Sequence, residues 1–124
     1  MNPISDCLAV CERAARSAGA LLLDKLGRVE VREKAPTDLV TEADYASQEV
    51  VRSTVLGAFP DHCLIGEEDP KGTTRPDCEF RWIVDPLDGT TNYVHQYPFF
   101  AVSLALEQRG ELLVGTIFDP VRQE

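Results

Sequence analysis

The chain predicts an α+β fold in which two N-terminal helices pack on a mostly antiparallel sheet. In the first half, apolar residues recur at three- and four-residue steps, which is typical of amphipathic helices. In the second half, short apolar runs alternate with Gly, Pro and charged turns, which is typical of strands. The chain has 124 residues, 44% hydrophobic and 27% charged, so we expect one domain or a portion of one.

The helices are predicted over residues 4–26 and 42–56. Gly27 follows the first periodic segment and is a plausible C-terminal stop. Thr41 and Asp44 stand three positions apart, the spacing of a capping box, in which two side chains satisfy the free N–H groups at a helix start. Thr41 is therefore predicted to be a helix cap rather than a catalytic group.

The second half supplies most of the predicted sheet. Strands are predicted at residues 28–33, 63–66, 80–84, 99–107 and 112–118, with a turn at 35–38 and a short helix at 91–96. Arg109-Gly110 would join the last two strands as an antiparallel hairpin. Trp82 and Phe99 are expected in the core.

Composition argues against two classes of partner. The formal net charge is -9 and Lys and Arg do not cluster, so a nucleic-acid polymer is not the expected ligand. The chain has no apolar run of 18 residues, so no membrane span is predicted. The N-terminus lacks the basic start of a signal peptide, so we expect a cytoplasmic protein. If its substrate is an anion, cations must mediate the contact, which favours a metal.

The four cysteines do not form a C-x-x-C pair. Cys7 and Cys11 stand four apart on the first predicted helix, where both are able to face the core. Cys63 and Cys78 lie further along the chain. Free cysteine is readily buried, and disulfides are rare in reducing compartments. We therefore expect ordinary reduced thiols.

The most informative stretch is residues 82–92, in which an apolar run leads to Asp85 and Asp88 and then to a Gly-Thr-Thr turn. Glu67 likewise follows an apolar run. Strand ends are able to bring such carboxylates together, and oxygen ligands suit Mg²⁺. Gly89 allows the backbone to approach a ligand closely. If Gly89 and Thr90 begin a helix, their N–H groups would form an anion site.

Three other interpretations of these acidic residues fit the sequence less well. An EF-hand needs acids at its positions 1, 3 and 5 followed by Gly, whereas here the second acid is at 4. Haloacid-dehalogenase-like phosphatases have one residue between their aspartates, and Asp85 and Asp88 have two. Isolated acidic residues are usually solvated, but their ordered grouping favours a site.

The arrangement resembles the inositol monophosphatase family of Mg²⁺-dependent, lithium-sensitive phosphatases. Four blocks carry the resemblance: residues 38–44, 65–68, 82–92 and 93–99. Together they span most of the chain after residue 34, and the long third block is highly specific.

The resemblance implies a ligand set for about two or three Mg²⁺ ions per site. Glu67 and Asp85 would bind the first ion with the main-chain carbonyl of Leu87. Asp85 would bridge to a second ion that Asp88 also binds. Lys34 matches a lysine near the metals in the family.

The resemblance also implies the reacting groups. Asp44 and Thr90 would orient and deprotonate the attacking water, with Glu67 as a further catalytic group. Gly89 and Thr90 would donate backbone N–H bonds to the phosphate, and Asp88 would contact the substrate. Water would attack directly, without a covalent intermediate.

The implied function is hydrolysis of inositol monophosphate or a similar small phosphate ester by metal-activated water. Family members are longer and commonly homodimeric, so residues 1–124 are interpreted as the N-terminal metal-binding portion, with the C-terminal half absent. Two alternatives stay open. One is a catalytically incomplete metal-binding fragment. The other is a family phosphatase acting on a nucleotide 3′-phosphate, a sugar bisphosphate or histidinol phosphate.

Overall fold

The computed structural model describes residues 3–28, 31–35, 38–66, 69 and 78–124, with only the backbone described for 3, 31–35 and 38–40. Three helices and six strands are defined there. In chain order they are α1 (Pro3–Lys25), β1 (Val31–Ala35), β2 (Asp38–Thr41), α2 (Glu42–Ala58), β3 (Cys63–Gly66), β4 (Phe80–Asp88), α3 (Thr90–Val94), β5 (Ala101–Gln108) and β6 (Glu111–Phe118). The predicted α+β class is confirmed.

The main sheet has the order β3-β4-β5-β6. β3 and β4 run parallel, whereas β4–β5 and β5–β6 are antiparallel, so the sheet is mostly antiparallel as predicted. Arg109 and Gly110 join β5 to β6 with positive φ angles of 49° and 87°. β1 and β2 form a separate two-stranded antiparallel sheet.

The core lies between the helices and one face of the main sheet. α1 buries a stripe of mostly small residues: Cys7, Val10, Cys11, Ala14, Ala15, Ala18 and Leu22. The sheet contributes Trp82, Val84, Val102, Leu104 and Leu106. Small residues let the helix approach closely, since a Cβ at Gly19 would lie only 2.7 Å from the Phe118 ring.

α2 begins as the capping-box spacing predicted. The Thr41 side chain accepts hydrogen bonds from the backbone N–H groups of Ala43 and Asp44, and the Asp44 carboxylate accepts from the Thr41 N–H. Both partners are buried. The helix therefore starts at a cap whose polar groups are paired with each other rather than with water.

The hairpin before α2 differs from the prediction. A strand was predicted at 28–33, but β1 covers Val31–Ala35. The turn predicted at 35–38 is flanked by the paired residues Ala35 and Asp38, and its central residues 36–37 lie outside the described residues. β2 was not predicted, because its four residues are too few to show an alternating pattern before the helix begins. Only the backbone pairing reveals it.

The expectation that all four cysteines are reduced thiols is wrong for two of them. Cys63 and Cys78 form a disulfide, whereas Cys7 and Cys11 are free and buried. The parallel pairing of β3 with β4 causes this contact. It places Cys63 opposite Arg81, and Cys78 lies three positions before Arg81. Sequence spacing alone did not indicate such a bond.

Two further predictions need correction. Trp82 is fully buried as expected, but Phe99 is 49% exposed, because it lies before β5 begins. Its ring instead packs under the Arg122 guanidinium, 3.9 Å from the ring centroid. β4 also continues past Val84 to Asp88. Among the described helices, none has the length and apolar character needed to cross a membrane.

Candidate metal and phosphate site

Asp85 and Asp88 lie in the last four residues of β4. The pairing of β4 with β5 is irregular between these two residues. Asp85 pairs with Ser103 and Asp88 with Ala101, so three steps on β4 match two on β5. This extra residue is a β-bulge, a feature that redirects side chains at the end of a strand. The bulge contains Pro86, which has no N–H to offer to the ladder.

Gly89 connects this bulge to α3. Its φ of 93° and ψ of 39° are left-handed, and a Cβ there would lie 3.0 Å from the carbonyl oxygen of Phe99. Glycine is therefore required both by the backbone angle and by the close approach. α3 starts at Thr90, so the short helix predicted at 91–96 is confirmed with shifted ends.

α3 is held against α1 by Tyr93. The Tyr93 hydroxyl donates a 2.7 Å hydrogen bond to the Leu22 carbonyl, and its ring contacts Phe100 edge-on. Burial raises the pKa of Tyr93 to about 12, so the hydroxyl keeps its proton and remains a donor. Thr90, three residues earlier, is thereby carried on an anchored element.

The central contact of the site joins Thr90 to Asp44. Thr90 Oγ1 lies 3.1 Å from Asp44 Oδ1 and 3.1 Å from the Leu87 carbonyl oxygen. A hydroxyl has one proton to donate, so these two acceptors compete for it. The structure thus brings together three of the predicted site residues.

The second oxygen of Asp44 is held by Thr41. Thr41 Oγ1 lies 2.6 Å from Asp44 Oδ2 and the Thr41 N–H donates to the same oxygen at 2.9 Å. Burial raises the pKa of Asp44, although the hydrogen bonds from Thr41 and Thr90 oppose that shift. Asp44 is therefore oriented from both sides and binds a proton more readily than an exposed aspartate.

The two aspartates line different clefts. Asp88, Gly89 and Asn92 line an open cleft of about 370 Å³ that extends to Asp119. Asp85 lines a second cleft of about 410 Å³ with Ile83 and Ser103 on the sheet face away from the helices. Asp85 Oδ1 also accepts from the Leu87 N–H at 3.3 Å.

The donor chemistry of these residues fits a hard divalent cation. Two carboxylates and the Leu87 carbonyl are oxygen donors, the ligand type that Mg²⁺ prefers, and the two carboxylates line different clefts. Within the described residues, no group of three or more His, Cys, Asp or Glu side chains is close enough to hold a metal. Glu67, the third predicted acidic ligand, lies outside the described residues, as does the side chain of Lys34.

The sequence-based predictions missed two polar groups, Ser47, which contacts the end of β4, and Asp69, which binds α2 and the end of β3. Ser47 is fully buried and its hydroxyl donates to the Pro86 carbonyl at 2.7 Å. Asp69 accepts from Gln48, from Arg52 and from the Gly66 N–H. A signal for Ser47 was available, because it lies one helical turn after Asp44 and so shares its face.

Fold and site together define an α+β protein with a bulged, aspartate-bearing strand that leads into a glycine-started helix. The chain belongs to the inositol monophosphatase family, whose model matches residues 4–124. The family resemblance deduced from the four sequence blocks is thereby confirmed.

Similar proteins carry two kinds of name. The Nus factor SuhB of Pseudomonas aeruginosa is 41% identical over 122 residues, which is 94% of this chain and 45% of that protein. The inositol-1-monophosphatase of Rhizobium meliloti is 41% identical over 125 residues, 97% of this chain and 46% of that protein. The chain thus spans about half the length of these relatives.

A solved structure reproduces the fold. The extragenic suppressor protein SuhB from Bartonella henselae superposes with a TM-score of 0.90 at 37% identity, covering 96% of this chain and 47% of that one. The arrangement of helices and mixed sheet is therefore that of the family.

Proposed function

We propose that residues 1–124 carry the metal-binding and water-activating portion of a Mg²⁺-dependent phosphomonoesterase. The proposed substrate is inositol monophosphate or a similar small phosphate ester. The observation that carries the proposal is the contact between Thr90 and Asp44 beside the acidic end of β4. Family membership and the name of the Rhizobium relative, an inositol-1-monophosphatase, support a phosphatase.

In this proposal Asp85, Asp88 and the Leu87 carbonyl would hold Mg²⁺, together with Glu67. Bound Mg²⁺ makes a coordinated water more acidic and offsets charge on the phosphate and the leaving oxygen. About two or three ions per site are proposed. Inhibition by lithium is proposed as well.

The protein's own groups move the proton. Thr90 Oγ1 accepts a hydrogen bond from the attacking water while its hydroxyl donates to Asp44 Oδ1. As the water oxygen bonds to phosphorus, its proton passes to Thr90 and the Thr90 proton to Asp44. The phosphorus–ester oxygen bond breaks, and the leaving alkoxide takes a proton from solvent. The backbone N–H groups of Gly89 and Thr90 bind the phosphate oxygens, and Asp88 contacts the substrate.

The test is a phosphatase assay on the complete polypeptide with and without Mg²⁺ and Li⁺, comparing wild type with Asp85→Asn. We expect Mg²⁺-dependent release of phosphate that the substitution abolishes. Asp61→Asn, an exposed aspartate before β3, is the matched control and should retain activity. Unchanged activity and Mg²⁺ affinity in Asp85→Asn would refute the site assignment.

Substrate choice is tested by a panel of inositol monophosphate, a sugar bisphosphate, a nucleotide 3′-phosphate and histidinol phosphate.

Direct attack by water is tested with isotope-labelled water, whose oxygen should appear in the released phosphate. A trapped aspartyl-phosphate at Asp85 would contradict direct attack by water.

The 124-residue chain alone is a separate question. A metal-binding fragment without catalysis is the alternative, and it predicts a folded chain that binds Mg²⁺ and releases no phosphate. Clear activity of residues 1–124 would exclude this alternative.

A homodimer is proposed for the complete protein, to be measured by sedimentation.

A Nus-factor role is the second candidate, since a 41% identical relative carries that name. Complementation of a strain lacking its own SuhB separates the candidates. If Asp85→Asn restores growth as well as wild type while lacking phosphatase activity, the Nus role does not need the metal site. Neither a nucleic-acid polymer nor a membrane is proposed as a direct ligand, in line with the net charge of -9.

A cytoplasmic location is also proposed. The disulfide between Cys63 and Cys78 bears on this proposal, because the cytosol keeps most thiols reduced and such bonds are rare there. Alkylation of intact cells followed by mass spectrometry measures the state of both cysteines.

A further inference from the structure

The peptide unit between Pro86 and Leu87 is held at both ends. Its carbonyl oxygen accepts the 2.7 Å hydrogen bond from Ser47 Oγ. Its N–H donates to Asp85 Oδ1 at 3.3 Å. A trans peptide is planar and its C=O and N–H point in opposite directions, so fixing the oxygen also fixes the direction of the N–H.

This peptide unit lies in the β-bulge, where sheet pairing does not hold it. The register of β4 with β5 passes from Asp85 directly to Asp88, and β3 pairs with β4 only as far as Val84. Pro86 is nevertheless fully buried. A buried carbonyl without a partner is costly, and Ser47 supplies a donor from a different element.

α2 contacts the segment 86–90, which contains Asp88 and is here called the acidic turn, at two points. Asp44 binds the hydroxyl of Thr90, which follows Asp88 and Gly89. Ser47, one helical turn further on, binds the carbonyl of Pro86, which precedes them. The two contacts bracket the turn, and both come from the buried face of one rigid helix.

We propose that Ser47 is a positioning residue for the metal site. It fixes the peptide after Pro86, and that peptide in turn orients the Asp85 carboxylate through the Leu87 N–H. The proposal rests on the proposed function, because it takes Asp85 to be a metal ligand. Partners that orient a ligand carboxylate in this way typically change metal affinity when they are lost.

The experiment compares Ser47→Ala with Thr54→Ala in the complete polypeptide. Thr54 is the matched control, because its hydroxyl donates to the Val50 carbonyl within α2 and not to β4. We expect Ser47→Ala to weaken Mg²⁺ binding by about tenfold in calorimetric titration. The Leu87 amide should also exchange its hydrogen faster. Thr54→Ala should change neither.

Ser47→Cys is the second variant, in case Ser47→Ala does not fold. The cysteine thiol is close in size to the serine hydroxyl and is a weak donor. The Ser47→Cys protein should therefore bind Mg²⁺ less tightly than wild type, with little loss of packing. Wild-type affinity in a folded Ser47→Ala or Ser47→Cys protein, or unchanged Leu87 exchange, would overturn this proposal alone. Absence of Mg²⁺ binding by wild type would overturn the proposed function and this proposal with it.

Discussion

The hydroxyl of Thr90 lies 3.1 Å from the Asp44 carboxylate, although 46 positions separate the two residues. One belongs to the first turn of α3 and the other to the first turn of α2. The start of each helix is fixed by a different device, a glycine for α3 and a capping box for α2. Because the two helix starts lie side by side, the Thr90 hydroxyl lies between the buried Asp44 carboxylate and the Leu87 carbonyl at the end of β4.

Thr90→Val removes this hydroxyl with little change in size. If Thr90 passes the proton from water to Asp44, kcat should fall by about 100-fold or more, the usual range for losing such a group. Steady-state kinetics with Mg²⁺ and inositol monophosphate measure it. Thr90→Ser keeps the hydroxyl and is the control that should retain most activity. Similar kcat values for Thr90→Val and wild type would contradict the relay.

Thr41→Ala should lower the free energy of unfolding by about 1–2 kcal/mol, because α2 loses its cap. The Thr41 side chain accepts from the N–H groups of Ala43 and Asp44 and is fully buried. Urea unfolding followed by circular dichroism measures the change. Thr41→Ser retains the capping oxygen and should lose less. Equal losses for Ala and Ser would mean that packing of the methyl group, and not the cap, stabilises the helix.

Reduction of the Cys63–Cys78 disulfide should destabilise the protein. The bond closes a loop with a sequence separation of 15, for which the chain-entropy model gives about 3 kcal/mol. Unfolding with and without dithiothreitol measures it. Burial raises the pKa of Cys11 to about 12, so alkylation of the folded, reduced protein should favour the half-buried Cys78 over Cys11.

The control for this prediction is the double variant Cys63→Ser with Cys78→Ser. Its stability should match that of the reduced wild type and should not respond to dithiothreitol. A wild-type protein that is equally stable when reduced would refute the stabilising role of the bond.

Stability should fall with acid through the titration of His62. The imidazole stacks between Phe59 and Phe80 and accepts a 3.0 Å hydrogen bond from Trp82 Nε1 at its Nδ1. Burial lowers the pKa of His62 below its usual 6.5, against a weaker opposing effect of Asp61. The neutral form is therefore favoured by folding.

The sign follows from proton uptake. Between the lowered folded pKa and about 6.5, the unfolded chain binds the His62 proton and the folded chain does not, so stability rises with pH across that window. This contribution is complete above pH 6.5 and is lost as the pH falls through the folded value. Urea unfolding at a series of pH values measures it.

His62→Gln is the informative variant, because glutamine accepts from Trp82 Nε1 without titrating. It should remove this part of the pH dependence. His95→Gln, at an exposed position, should leave it in place. An unchanged pH profile in His62→Gln would assign the dependence to other groups.

Several parts of the molecule could be predicted because their causes are local. The α2 cap depends on residues three positions apart, and the α1 stripe depends on a repeat of three and four positions. The β5–β6 hairpin depends on a two-residue turn. β2, with four residues, has no such local pattern, and it was missed.

The site divides in the same way. The motif of residues 82–92 identified the family, and it placed Asp85, Asp88, Gly89 and Thr90 as candidates. Their assigned roles as metal and substrate ligands stay predictions. The β-bulge between the two aspartates, which line different clefts, was not predictable, because it depends on the register against β5.

The amino-acid sequence alone thus specifies the α+β class, the capped start of α2 and the order of acidic residues, since each depends on neighbours within a few positions. Tertiary packing decides which groups face each other across long separations. Ser47 reaches Pro86 over 39 positions, and Cys63 reaches Cys78 over 15. Such contacts depend on how α2 and β3 lie against β4, and no local pattern in the chain encodes that geometry.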